Sequence, residues 1–208
     1  MTGPRVAAVI LAGGKGERLG GVIKANLVIG GVRLLDRVTR AIAGAASPVL
    51  VAYGAVDPDL LALGERHIPI PDPDTEYAGP LAGVAAAIAW CETQTDIPDY
   101  LVSVAVDTPF FPPDFIGRAL SVISTAVPAV VARYGDQDYP TNALWRLASV
   151  RGLPSRLVAG TAPRSLKRLA AELGARPLDW PQSAAGDPFA NANTPADVLA
   201  LQARAEAE

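Results

Sequence analysis

Short apolar runs, each closed by a turn, recur through this chain and limit what it can fold into. They cover residues 5–11 (RVAAVIL), 48–53 (PVLVAY), 67–70 and 100–106 (YLVSVAV), with 127–134 (VPAVVARY) a fifth despite Pro128 near its start. Hydrophobicity that is continuous over so few residues, rather than alternating, suits strands buried on both faces, as in a parallel sheet. Between the runs the period changes. Residues 34–43 place Leu35, Val38, Thr39 and Ile42 on one stripe, and 79–90 align Leu81, Val84 and Ile88, which is the helical repeat. Strands alternating with helices predict βαβ units: an α/β protein with a three-layer α/β/α, Rossmann-like, mostly parallel sheet.

The second half is less regular. Residues 139–145 read as an edge or antiparallel strand, a small antiparallel addition to the sheet, and 163–173 as a helix stopped by Gly174. Asp114 reads as the N-cap of a further helix. The last helix is marked by Thr194 as N-cap, Pro195 at the first helical position and Asp197 in the first turn. Residues 179–187 read as a long flexible loop and 203–208 as a fraying tail. With no internal repeat or linker, the 208 residues are expected to form one domain.

Composition removes several functions. Half the residues are apolar and 19% are charged, so the chain can bury a core. The formal net charge of −3 argues against nucleic acid as a partner. One cysteine, Cys91, and one histidine, His67, cannot build a disulfide or a zinc cage. The apolar runs are all too short to span a bilayer, and the one after Arg5 ends in glycines rather than a cleavage site. A cytoplasmic location, with no membrane partner, is expected.

The chemistry concentrates in two places. Residues 11–24, LAGGKGERLGGVIK, hold five glycines, three cations and one acid directly after the first strand. Glycines let backbone amides approach a polyphosphate, and Lys15, Arg18 and Lys24 would neutralise it. The spacing fits neither a Walker A loop, since Gly21 precedes Val22, nor the dinucleotide fingerprint, since Gly20 comes one residue late. The second place is VAVDTPFFPPD. Asp107 follows an apolar strand and precedes Pro109, Pro112 and Pro113. It could hold a divalent cation or simply open an Asx turn. The glycine-cation loop on a preceding strand favours the cation. A lone acid in an empty pocket would also gain stability from an Asp107→Asn exchange.

Taken together, these pieces resemble the molybdenum cofactor guanylyltransferases of the nucleoside-triphosphate transferase superfamily. The resemblance rests on LAGG followed by Arg-Leu-Gly and Lys24, GPLAG at 79–83, VDTPFFPPD at 106–114, YPTNAL at 139–144 and FANANTPADV at 189–198. It implies GMP transfer from GTP to the terminal phosphate of the molybdenum-molybdopterin cofactor, with release of pyrophosphate and with Mg²⁺ as cofactor. It further implies that Leu11, Ala12, Gly13, Gly14 and Asp72 contact the GTP, Lys24 its phosphates, and Asp107 both nucleotide and Mg²⁺. Arg18 joins Lys24 and Asp107 as a catalytic candidate, and Lys15 would cover the β- and γ-phosphates. Asn191 and Asn193 fall in a motif of the pterin-side pocket. On this reading residues 1–112 form the nucleotide half and 113–208 the acceptor half. Proteins that deliver the cofactor, or molybdoenzymes that receive it, are the further partners.

The sequence departs from the family at Ile23, where an acid is common, at Val106, a frequent cysteine, and at Ala52, an asparagine in relatives. Two rival readings stand beside the guanylyltransferase. One is a cytidylyltransferase acting on the same pterin, which would carry LAAG in the loop and an altered GPLAG. The other is a non-catalytic carrier of the cofactor, which would not need both Lys24 and Asp107.

Overall fold

A computed structural model describes residues 3–14 and 16–207. Along the chain run β1 (Val6–Leu11), β2 (Val28–Ile29), β3 (Val32–Arg33), α1 (Leu34–Ile42), β4 (Val49–Ala52), β5 (His67–Ile70), α2 (Pro80–Glu92) and β6 (Tyr100–Ala105). Then follow α3 (Phe115–Leu120), β7 (Ala129–Tyr134), β8 (Gln137–Arg146), α4 (Leu147–Val150), α5 (Leu153–Val158), α6 (Leu166–Glu172), β9 (Arg176–Trp180) and α7 (Pro195–Ala207). Seven strands make one sheet in the order β5-β4-β1-β6-β8-β7-β9, and β2 pairs only with β3. All neighbours in the large sheet are parallel except those of β8, which runs antiparallel to β6 and to β7.

The continuous apolar runs are explained by two cores, one on each face. In β1, Ala7 and Val9 join the core beneath α2, α4, α5 and α6, while Val6, Ala8 and Ile10 join the core beneath α1 and α3. A third, smaller cluster of Ile29, Leu34, Ala192 and Leu201 docks α7 on the β2–β3 hairpin, with Phe110 packed against it.

Several expectations are corrected. The 139–145 strand is antiparallel but not an edge: β8 lies between β6 and β7. Residues 179 and 180, read as loop, complete β9, which pairs with β7 and forms the true edge. Helix α6 begins at Leu166 rather than 163, because the Ser165 side chain accepts the Arg168 N–H as an N-cap. Asp114 stands at the N-cap of α3 but makes no capping hydrogen bond. The end of α7 does not fray within the described residues; the helix runs to Ala207. Its start is as expected, with Thr194 Oγ1 accepting the Asp197 N–H and Asp197 Oδ2 accepting the Thr194 N–H.

Candidate active site

The carboxyl ends of β5, β4, β1 and β6 share one edge of the sheet, where open α/β proteins bind ligands. A cleft of about 600 Å³ lies along that edge. Its floor is made of small residues: Ala52 and Ala105 at strand ends, Gly13 and Gly54 just after β1 and β4, and Gly83 in the first turns of α2. Gly13 and Gly54, from the loops after β1 and β4, pack backbone against backbone. A Cβ on Gly13 would lie 2.9 Å from Gly54 Cα, and one on Gly54 would lie 3.0 Å from Gly13 Cα. Further on, Gly16 turns the loop at φ +56°, its carbonyl accepting the N–H groups of Leu19 and Gly21.

Lys24 opens a short 3₁₀ turn that ends in β2, and Asp107 follows β6. They meet as an ion pair: Lys24 Nζ donates to Asp107 Oδ2 at 2.7 Å, with only 13% and 12% of the side chains exposed. Each has a second partner from the segment before α7. Lys24 Nζ also donates to Asn193 Oδ1 at 2.5 Å, and Asn191 Nδ2 donates to Asp107 Oδ1 at 2.6 Å. The carboxylate therefore has a fixed direction.

Asn142 fixes the turn that carries Asp107. Val131 pairs with Ala143 and Ala132 with Tyr139, so residues 140–142 of β8 bulge at Pro140, which has no N–H for the ladder. In the bulge, fully buried Asn142 accepts the Ala105 N–H at 3.0 Å and donates to Thr108 Oγ1 at 3.4 Å. Thr141 lines the cleft.

Asp72 follows β5 at the other end of the cleft. Its carboxylate lies beside Gly54 and Gly83 and, among the described residues, has no hydrogen-bond or ion-pair partner; burial pushes its pKa up. Three interstrand steps separate β5 from β6, roughly 14 Å. Two carboxylates thus mark the ends of a long, glycine-floored trough with a lysine at one end.

The structure gathers most of the predicted residues. Leu11, Gly13, Gly14, Lys24, Asp72, Asp107 and Asn191 line the cleft. Ala12 is fully buried behind it, its N–H donating to the Ala52 carbonyl. Asn193 meets the cleft through Lys24. Arg18 is exposed on the turn at 17–19 and does not line the cleft. Lys15 lies outside the described residues. Trp180 packs on Phe115 and Phe189 with Arg118 over its ring at 3.8 Å, and Trp145 is fully buried, donating to Ser103 Oγ. On the basic face around α6, Arg164 reaches Glu76 at 3.5 Å and covers the ring of Tyr77, which lines the cleft. Sequence reasoning missed Gly54 and Tyr77, and it quoted Thr141 and Asn142 only within the YPTNAL motif, without a role for either.

A trough of this kind, at the carboxyl edge of a doubly covered and mostly parallel sheet, defines an open α/β protein with its ligand cleft at the strand ends. The sequence matches the family described as MobA-like NTP transferase domain over residues 8–179. The chain belongs to that family. It is 37% identical over 203 residues to the molybdenum cofactor guanylyltransferase of Acidiphilium cryptum (strain JF-5), covering 97% of this chain and 96% of that one. It is 38% identical over 200 residues to that of Rhodobacter capsulatus, covering 96% of each. Among solved structures, the molybdopterin-guanine dinucleotide biosynthesis protein A of Archaeoglobus fulgidus has the same fold, with a TM-score of 0.72 at 20% identity over 98% of this chain and all of that one.

Proposed function

We propose that this protein transfers GMP from GTP to the terminal phosphate of the molybdenum-molybdopterin cofactor and releases pyrophosphate. The observation that carries the reading is the Lys24–Asp107 pair at the end of the glycine-floored trough, in a chain whose relatives bear the name of that activity. The triphosphate would lie over the glycine loop, with its α-phosphate near Lys24. An oxygen of the acceptor phosphate attacks the α-phosphorus, the bond to the bridging oxygen breaks, and its electron pair leaves with pyrophosphate. The acceptor is a phosphomonoester, largely ionised at neutral pH because its second pKa is about 6. No proton has to be removed, which suits a site without histidine. Lys24 meets the charge that develops on the leaving group, and Arg18, from the exposed turn of the same loop, would be its second cationic partner.

Asp107 is the residue that would hold Mg²⁺. Each of its oxygens accepts one hydrogen bond and keeps a lone pair. Among the described residues no group of three or more His, Cys, Asp or Glu could cage a metal. A single carboxylate fits an ion shared with phosphate oxygens, the usual manner of Mg²⁺. When bound, the ion would neutralise triphosphate charge.

Asp72 gives a reason for guanine. A carboxylate without a protein donor can accept two adjacent N–H groups, and guanine offers them at N1 and N2. Cytosine, adenine and uracil offer at most one beside an acceptor. That argument, with LAGG and GPLAG intact, counts against the cytidylyltransferase, and the paired Lys24 and Asp107 count against a mere carrier. Residues 113–208 would supply the acceptor side, through Asn191 and Asn193. GTP is a charged metabolite that does not cross membranes, so the reaction is assigned to the cytoplasm. The test is incubation with each of the four triphosphates, Mg²⁺ and the molybdenum-pterin cofactor, scoring pyrophosphate. Release is expected with GTP, only in the presence of acceptor and Mg²⁺. Equal turnover of CTP would overturn the base assignment, and GTP binding without any release would favour the carrier.

A further inference from the structure

Residues 187–193 join the loop after β9 to α7 without regular structure, yet three of them meet the Lys24–Asp107 pair. Asn191 does so through its side-chain amide, Asn193 through its amide oxygen, and Ala192 through a backbone N–H to the Asp107 carbonyl at 3.0 Å. A segment outside the sheet and helices has no ladder to hold its register, so its ends must do so. The downstream end is fixed by the Thr194–Asp197 cap.

The upstream end converges on Asp187, which is held at three atoms. Its Oδ2 accepts the Tyr139 hydroxyl, its Oδ1 accepts the Phe189 N–H at 2.8 Å, and its carbonyl accepts Arg204 Nη1 at 2.7 Å. Phe189 is fully buried and lies against the Tyr139 ring, centroids 5.5 Å apart. Tyr139 belongs to β8, in the interior of the sheet, and immediately precedes the bulge that carries Thr141 and Asn142. One phenol therefore ties the rigid sheet to the segment that meets the charged pair. Burial and the neighbouring carboxylate both push the Tyr139 pKa up, so the hydroxyl stays a donor throughout the working pH range.

We propose that Tyr139 and Asp187 form a latch that sets the register of residues 189–193 over the Lys24–Asp107 pair, making both positioning residues for this site. The reaction served is the one proposed above, so the latch is tested first without it. Tyr139→Phe keeps the ring against Phe189 and removes only the hydroxyl; Asp187→Asn leaves one carboxamide oxygen where two carboxylate oxygens accept. Amide hydrogen exchange on the full-length ¹⁵N-labelled chain is the readout. In both variants the Phe189 and Ala192 amides should exchange about tenfold faster or more, while Val9 and Ile10 of β1 stay within about twofold of wild type. Unchanged exchange at Ala192, or acceleration spread evenly over β1 as well, overturns the latch.

Turnover is the second arm. The kcat for pyrophosphate release should fall about tenfold with KM for GTP held within about twofold, the split expected when the reacting groups are misaligned but the nucleotide still binds. Local loosening with kcat within about twofold of an active wild type would overturn the positioning role. A wild type that releases no pyrophosphate would refute the proposed reaction, and the latch would then stand or fall on the exchange result.

Discussion

Lys24 and Asp107 each complete the other's charge in a setting that excludes most water, and this changes what a substitution there should do. Read as a lone acid, Asp107 would be better replaced by asparagine; paired at 2.7 Å with Lys24 and held by Asn191, it is already compensated. Asp107→Asn leaves the lysine facing a neutral amide, so stability should fall, by about 1–3 kcal/mol on the scale of hydrogen bonds to charged groups. Lys24→Ala should act in the same direction on stability and lower kcat by on the order of 10²-fold, since it removes the charge opposite the leaving group. Urea melts and pyrophosphate release on both variants check this. A more stable Asp107→Asn protein would restore the lone-acid view, and near-normal turnover in it would remove the metal role. Asp107 was legible because it stands at the end of an apolar run, and Lys24 because it closes a glycine-rich loop with other cations; Asp72 entered only through the family resemblance. Asn191 and Asn193 carried no such sign of their partners. They lie 84 and 169 residues from Asp107 and Lys24, and only the return of the chain from the edge strand β9 brings them together.

At the level of elements, the cleft exists because two loops touch without side chains. Gly54 has φ +56°, and an added Cβ would press on Gly13 Cα at 3.0 Å. Gly54→Ala should cost about 1–2 kcal/mol for the left-handed backbone alone, with the steric contact added. It should also weaken GTP binding by moving the loop after β1. Melting and nucleotide titration test the two effects separately, and a variant with unchanged stability would mean that the loops part at little cost. The strands β1, β4, β5 and β6 were legible because burial on both sheet faces writes continuous apolar runs; α1 was legible because burial on one face writes a helical stripe, and α2, buried on nearly every side, as a long Ala-rich apolar run. The β2–β3 hairpin was not, because two-residue strands at Val28–Ile29 and Val32–Arg33 are too short to show a period. Nor was the end of β9, where the exposed Asp179 and the partly covered Trp180 give an edge strand the look of a loop. The central place of β8 depends on topology, which no local pattern records.

Over the whole molecule, the one sheet runs unbroken from the strands that bear the glycine loop to those that bear the latch, so the site and the global fold share their stability. That stability should carry a pH dependence from the single histidine. His67 begins β5, the edge strand whose far end leads to Asp72. Its Nδ1 accepts the Gly64 N–H at 3.2 Å. Its Nε2 lies 2.8 Å from Thr39 Oγ1, whose own proton goes to the Leu35 carbonyl. That network assigns the neutral tautomer with the proton on Nε2, and a second proton on Nδ1 would face the Gly64 donor. Burial lowers the folded pKa below the ordinary 6.5, outweighing the opposite pull of Asp36, and Arg33 adds to the lowering. The unfolded chain therefore takes up the proton first. Stability is full above the unfolded value of about 6.5 and falls as pH drops from there toward the folded pKa, with a slope of at most about 1.4 kcal/mol per pH unit for one proton. Asp72 works with the opposite sign, since its raised carboxyl binds a proton more readily when folded. His67→Gln retains Asp72 and has no imidazole to titrate. The difference between wild type and His67→Gln in denaturant melts at pH 7.5, 6.5 and 5.5 isolates the histidine. Wild type should lose stability relative to the variant at each step below 6.5, and parallel curves would show that the ring titrates alike in the folded and unfolded chains.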